Sequence, residues 1–437
     1  MPPISTTSNT RSSAQFTGNY QGPLAVLTSL FFIWAFVTNL NDILIPHLKK
    51  ACELTDFQSS LVQSAFFGAY FVMSLPSGWV VKKLGYKRSI LVGLFAMLVG
   101  ALLFIPAAYS RQYLLFLSGL FILASGVTLL QVAANPFVSV LGPPEKASSR
   151  LNMTQAFNSL GAALAPFLGG LLILSGKEFS ADELAAMIPA DRISYLSSEA
   201  LSVVWPYIGL SVVLILLMAL IHFSNLPEID EDLEQEEEGY LSGYHANKTS
   251  VWQYSHLVWG VVAIFFYVGA EVAIASFLIK YAKELLGLAE ADAKNFPSYY
   301  MVFAMAGRFA GAALLRNLNP ARTVGFNAVA NILMVAAAIT LPMNIGVWAL
   351  VLMGLFNSIM FPTIFTESIR DLGKFTKAGS SLLIMAIVGG AIIPPVTGLA
   401  FDYCKDHGIS QVFAFLVPGA SYLAVVWFGF VGHKIKA

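Results

Sequence analysis

Charge is what this chain has least of. Its 437 residues hold 25 Lys plus Arg and 25 Asp plus Glu, 11% in all with no net charge, where a soluble domain carries about 25%. The scarcity argues against a soluble fold, and no nucleic-acid partner is expected. Histidine is scarce too: His47, His222, His245, His256, His407 and His433 all fall at the ends of apolar runs or between them. With no imidazole inside the runs, and no GxSxG, HExxH or Walker loop, neither an enzyme nor a resident cofactor or metal centre is expected. The two cysteines, Cys52 and Cys404, read as residues of outer loops and set up no disulfide framework. A cleavable leader is not expected either: the first apolar run is too long for one and lacks a small-residue cleavage site.

Hydrophobic residues, by contrast, make up 57% of the chain, and mean hydropathy is +0.71. Apolar runs recur near 24–48, 58–81, 89–108, 113–141, 151–175, 201–223, 254–279, 298–315, 323–342, 345–366, 378–400 and 411–432. Each is long enough to cross ~30 Å of hydrocarbon as a helix, and neighbouring helices make the many Gly and Pro tolerable. The expected fold is an all-α membrane protein with twelve transmembrane helices, the lipid bilayer its first partner. With the N-terminus inside, fifteen Lys and Arg lie in cytoplasmic segments and nine outside, leaving Arg308 in the eighth run. By the positive-inside rule both termini are then cytoplasmic, in a multi-pass protein of the cell (inner) membrane.

Eight acids within residues 228–238 interrupt the series as a solvated linker. The chain divides into a cytoplasmic tail (1–22), a six-helix half (23–224), a cytoplasmic acidic linker (225–252) and a second six-helix half (253–437). The halves resemble each other. Phe31-Phe32 matches Phe265-Phe266, Asn135-Pro136 matches Phe361-Pro362, and Gly161 to Pro166 matches Gly389 to Pro394, at offsets between 226 and 234. Parallel six-span repeats are the plan of major facilitator transporters, whose substrate site lies between the halves near midplane.

Polar residues inside the spans are the functional candidates. Asp42 is the lone charge in an apolar stretch from Pro23 to Leu48, and an acid at a helix centre in lipid costs ~2.5 kcal/mol or more, so it should face protein or a wet cavity. Thr38, Asn39 and Asn41 beside it offer oxygens to a cation. Gln131 and Asn135 share one helix face, as Gln155 and Asn158 nearly do. Such a row of neutral donors and acceptors suits a polyhydroxylated ligand; bonding between helices is the alternative use. Asn357 extends the row, and Phe361 is an aromatic that can stack on a pyranose. Glu271 has three open readings: substrate binding, cation coupling, or a pair with Arg308. Lys82, Lys83 and Arg88, in the loop after Gly78, and Glu367 and Arg370, at the end of span ten, are candidates for a gate or for anchoring.

Several segments, among them Asn39-Leu-Asn-Asp-Ile-Leu-Ile-Pro46, Leu130-Gln-Val-Ala-Ala-Asn-Pro-Phe137, Gln155-Ala-Phe-Asn-Ser-Leu-Gly161 and Asn357-Ser-Ile-Met-Phe-Pro-Thr-Ile-Phe365, resemble the fucose-galactose-proton symporter family of the major facilitator superfamily, and in it the bacterial glucose/galactose branch. The resemblance covers nearly the whole chain. It implies a monomeric secondary active transporter that takes up a hexose by cation symport through alternating access. Asp42 would couple the ion, and Gln155 and Asn158 would touch sugar. In the fucose/proton symporter the span-one Asp works with a span-four Glu, and Gln131 stands at that position here. A glutamine carries no proton, so the oxygens around Asp42 shift the expectation slightly to Na⁺ over H⁺. A facilitative uniporter, an H⁺-coupled fucose-type symporter and a sugar receptor remain the alternatives.

Overall fold

The computed structural model describes the backbone of residues 20–52, 56–173, 183, 186–227, 248–288, 290–293 and 295–435, and their side chains except at 40–51, 56–60, 63, 64, 166–173, 284, 290 and 291. Residues 1–19 of the tail and the acidic run 228–238 thus lie outside the described residues, while Gln21 and Gly22, expected in the tail, already belong to the first helix. What is described is helical almost throughout. In hydrocarbon the backbone has no water to pair with, and a helix satisfies its own N–H and C=O groups within one segment.

Span one is the helix Gln21–Ala51. Spans two and three form one element, Asp56–Ser110, turned at Gly85, whose φ of 75° an L side chain rarely adopts. Span four is Tyr113–Val140, span five Ala147–Ile173, and span six the pair Pro189–Leu201 and Val204–Phe223. Ser255–Lys280, Asn295–Leu314 and Pro320–Thr340 make spans seven to nine. Span ten is broken into Met343–Asn357 and Met360–Ile369. A 3-10 turn, Ala386–Val388, joins the two parts of span eleven, Thr376–Met385 and Gly389–Asp406. Span twelve, Leu416–Trp427, runs on into a wide π-helical turn, Phe428–Gly432.

Among the described residues nine helical stretches are long and apolar enough to cross a membrane, and one of them, Ala65–Ser110, holds two spans. Spans five and eight complete the expected twelve. Span eight falls outside the apolar set because it carries Arg308 and a polar first turn, and in span five the fully described part, 147–165, is its more polar part, with Gln155 and Asn158. Cys404 corrects one expectation. It sits in the helix Gly389–Asp406, not in a loop, because the helix continues past the apolar run with Phe401 and Cys404, three apart, both turned to the protein interior. Both cysteines are free thiols.

The exterior is apolar, as lipid requires: Trp205 is 77% exposed and Phe223 82%. Inside, small residues let backbones approach. A Cβ on Gly100 would lie 2.6 Å from the Leu123 nitrogen, and one on Gly126 would lie 2.7 Å from the Met97 nitrogen, so spans three and four can cross this closely only with glycine there. The same device recurs across the repeat. A Cβ on Gly161 of span five would overlap the Phe32 carbonyl of span one, and a Cβ on Gly389 of span eleven would overlap the Phe265 carbonyl of span seven. The matched glycines thus pack on matched helices, spans one and seven, one residue apart in register. At the end of span four Arg150 donates to the carbonyls of Val138 (3.3 Å), Ser139 (2.7 Å) and Pro143 (2.6 Å), which a helix end otherwise leaves unpaired.

Overpacking a filled interior costs about 1–3 kcal/mol. Gly389→Val is therefore expected to lower the unfolding temperature of the detergent-purified protein. Gly209→Val, where a Cβ meets nothing within 4 Å, leaves it within the scatter of the wild type.

Candidate functional site

In the first six spans the amides converge. Span four presents Gln131 and Asn135 one turn apart, both buried. Gln131 Nε2 donates to the Tyr70 hydroxyl of span two at 2.8 Å, and Gln155 Nε2 of span five donates to Asn135 Oδ1 at 3.4 Å. Asn135 is wholly shielded from solvent, and its Nδ2 has no partner. A buried donor left unpaired costs about 1–3 kcal/mol, so this amide is set to receive an acceptor. Asn158 Nδ2 donates to the Phe31 carbonyl of span one at 2.9 Å. The row predicted from spacing therefore splits: Gln155 faces span four and Asn158 faces span one.

Beyond Phe31 on the same helix, Thr38 Oγ1 donates back to the carbonyls of Trp34 (3.1 Å) and Ala35 (3.0 Å), and Asn39 Nδ2 donates to Ala35 at 2.8 Å. With its amide protons turned to the backbone, Asn39 keeps its Oδ1 as an acceptor. Asn41 and Asp42 continue the helix, but their side chains lie outside the described residues, so only half of the expected cation set is described.

The last six spans treat their amide differently. Asn357, at the break in span ten, donates to the Tyr300 hydroxyl (2.7 Å), and its Oδ1 accepts from Tyr422 (2.8 Å) and Asn331 (2.7 Å). Tyr267 donates to its backbone carbonyl at 3.1 Å. Both lone pairs of Oδ1 are used, so Asn357 is a saturated hub, while Asn331 Oδ1 beside it has no partner; no described bond joins the hub to the amides of spans four and five. Phe361, partly buried, packs on Phe365 with ring centroids 6.1 Å apart. Arg308 bridges the two sets of spans. Its guanidinium donates to Ser159 Oγ of span five and to the Ser358 carbonyl at the span-ten break (3.1 Å). It makes no ion pair with Glu271, which lies within reach of its charge and beside the Tyr267 hydroxyl. In this arrangement the pairing reading of Glu271 does not hold.

The two sets of spans also meet at the end of the bundle that bears Lys82, Lys83, Lys87 and Arg88, called here the basic end. The bonds there are neutral. Ser74 Oγ donates to the Ser381 carbonyl at 2.8 Å, Ser148 and Thr366 share a hydroxyl bond of 2.6 Å, and Asn152 Nδ2 donates to Thr363 Oγ1 at 3.0 Å. Ser149 donates to the Ala312 carbonyl, and the Lys377 ammonium lies 5.7 Å from the centre of the Tyr86 ring. A Cβ on Gly78 would overlap Ser381 Oγ. The charges picked out from the sequence stand elsewhere. Lys82, Lys83 and Arg88 are exposed, Lys83 lying over its own Trp79 ring at 5.0 Å, and Glu367 pairs with Arg370 (2.8 Å) within span ten. Among the described residues none of the five ion-pairs across the two sets. The latch residues went unread in the sequence, although Ser74 and Gly78, four apart in a predicted span, form the small-xxx-small pattern of close helix contact.

Residues 26–394 match the model of the Major Facilitator Superfamily. The chain belongs to that superfamily. A glucose/galactose transporter of Brucella abortus (biovar 1, strain 9-941) is 44% identical over 95% of both chains. The L-fucose-proton symporter of Escherichia coli K12 is 41% identical over 94% of this chain and 93% of its own. Crystal structures of the E. coli fucose:proton symporter FucP include one in the outward conformation, which matches with a TM-score of 0.85 at 38% identity over 95% of this chain and 100% of that one. The resemblance expected from the sequence is met: this major facilitator protein is a multi-pass membrane transporter and not an enzyme.

A side chain forced into the Gly78–Ser381 contact should weaken the latch by about 1–3 kcal/mol, roughly tenfold or more in its equilibrium. With Thr366→Cys as reporter in a background lacking Cys52 and Cys404, Gly78→Leu is expected to speed alkylation from the basic end severalfold. An unchanged rate would mean that the contact does not hold the bundle shut.

Proposed function

We propose that this transporter takes up a hexose, glucose or galactose, together with a proton, by alternating access between residues 23–224 and 253–437. The observation that carries the sugar reading is the shielded amide cluster of Gln131, Asn135 and Gln155, in which Asn135 Nδ2 lacks an acceptor. A sugar hydroxyl both donates and accepts, and so completes such a cluster where a cation or an apolar solute does not. The names of the relatives support this reading, two of them being a glucose/galactose transporter and a fucose-proton symporter.

Gln131, Asn135, Gln155 and Asn158 hold the hydroxyls, and Glu271 and Phe361 close on the sugar from the other half. Asn357 acts indirectly, by fixing the break in span ten. Asp42 couples the ion: its carboxylate resists entering a dry, closed intermediate while charged, and a bound cation removes that cost. The oxygens of Thr38, Asn39 and Asn41 suggested Na⁺ in the sequence. The proton is preferred because a 41% identical relative is named a proton symporter, while no feature of the described site is particular to sodium. The basic end is cytoplasmic by the positive-inside rule, so the bonded latch there corresponds to a carrier open to the outside. The match to FucP in its outward conformation agrees with this assignment.

In proteoliposomes an inward proton gradient is expected to drive uphill uptake of glucose or galactose, and an inward Na⁺ gradient alone is not. Asp42→Asn should lose accumulation and keep counterflow of labelled sugar. Accumulation that survives in a well-expressed Asp42→Asn carrier would remove its coupling role, and wild-type counterflow without any accumulation would make the protein a uniporter. Gln155→Ala and Asn158→Ala should each weaken sugar affinity about tenfold, the worth of one good hydrogen bond. Unchanged affinity would count against contact.

A further inference from the structure

A cavity of about 410 Å³ opens on the flank of the bundle at the basic end, lined by Asn319, Arg322, Phe326, Phe430, His433 and Lys434. We propose that it holds the phosphate headgroup of an anionic phospholipid.

Two glycines build it. A Cβ on Gly429 would overlap the Gly325 backbone, and one on Gly325 would lie 2.9 Å from the Phe430 ring. The start of span nine and the turn after span twelve are thus backbone to backbone. Arg322 lies three residues before one glycine, and His433 and Lys434 lie four and five after the other, so the crossing gathers all three at one mouth. Asn319 Oδ1 accepts from the Arg322 amide at 3.0 Å and fixes the first turn of the helix Pro320–Thr340, whose positive dipole end adds to the field. Among the described residues neither Arg322 nor Lys434 has an ion-pair partner. Burial and the nearby cations Arg370, Lys434 and Arg322 hold the His433 imidazole below its usual range, so it faces an anion as a neutral polar group near neutral pH.

The apolar wall favours a lipid over a free anion. Phe326 is 64% exposed and meets Phe430 edge to face, with ring centroids 5.3 Å apart. A soluble phosphate has no use for that surface, whereas acyl chains descending from a headgroup lie along it. Beside the cavity Trp259 and Trp427 are paired at 5.5 Å, both partly exposed, and a Cβ on Gly432 would lie 2.8 Å from Trp259. Tryptophan at such a level marks the headgroup layer of a bilayer, and basic pockets between helices at that level bind anionic headgroups.

The test uses the full-length protein in neutral detergent, titrated with palmitoyl-oleoyl phosphatidylglycerol, the matching phosphatidylcholine, or inorganic phosphate. Binding to the native state raises the unfolding temperature. Phosphatidylglycerol is expected to raise it by a few degrees and the other two to leave it unchanged. Arg322→Gln with Lys434→Gln should abolish the shift, and Arg322→Lys should keep most of it. A full shift in the double variant would place the lipid elsewhere, and an equal shift with phosphate alone would make this a free-anion site; either overturns the proposal. If the double variant does not fold, native mass spectrometry decides on single variants: Arg322→Gln and Lys434→Gln should each retain fewer phosphatidylglycerol molecules than wild type, and equal retention contradicts the assignment.

Discussion

A polar group inside a bilayer has no water to return to, and most of this molecule follows from how each such group finds a partner. The two sets of spans give opposite answers. Asn357 itself is saturated: it donates to Tyr300 and accepts from Tyr422, Asn331 and Tyr267, and the result is a fixed corner where span ten breaks, with Asn331 Oδ1 beside it left unpaired. Around Asn135 the account stays open by one N–H. A saturated amide holds a shape, and an open one holds a place for a ligand. That difference makes the first six spans the main hydroxyl-binding face in the proposed cycle, with the second set a frame that closes on it.

The basic end obeys the same constraint with another consequence. The bonds that join the two sets there, Ser74 to Ser381, Ser148 to Thr366 and Asn152 to Thr363, are neutral. Each contributes about 0.5–1.5 kcal/mol net, whereas parting a buried ion pair strands charges at about 3–5 kcal/mol. A latch of hydroxyls and one amide can therefore be opened by the binding of a sugar and a cation. Arg308 fits this scheme: it is held across the sets by Ser159 and the Ser358 carbonyl, partners that can be released without leaving a carboxylate exposed. Glu271 lies near it and beside the Tyr267 hydroxyl without an ion pair to Arg308, and in the proposed cycle it meets the substrate.

The fold was legible because hydrophobic length and repetition are one-dimensional signals. Twelve runs survive in the structure, and so does the match of Gly161 with Gly389, each of which lets its span approach the first helix of its own half. The site was legible in its residue types and only partly in its connections. Spacing placed Gln131 and Asn135 on one face correctly, yet it could not say that Gln155 would turn to span four and Asn158 to span one. Tyr70 and Tyr267 act through their hydroxyls, on partners 61 and 90 residues away that no local spacing announces. Asn357 read as one more member of the amide row because its partners lie 26, 57 and 65 residues away. The latch was missed because Ser and Thr inside spans ordinarily bond to their own helix, as Thr38 does, and nothing in their spacing marks the few that reach across.

The central claim is that the site is exposed to one side at a time by parting and rejoining this latch. The most direct measurement joins Ser74→Cys to Ser381→Cys with a short thiol cross-linker, in a background of Cys52→Ser and Cys404→Ser, and follows sugar binding and sugar flux on the same preparation. The account predicts that the cross-linked carrier still binds sugar from outside, moves none across the membrane, and recovers flux when the link is cleaved. Undiminished flux through the cross-linked protein would contradict it.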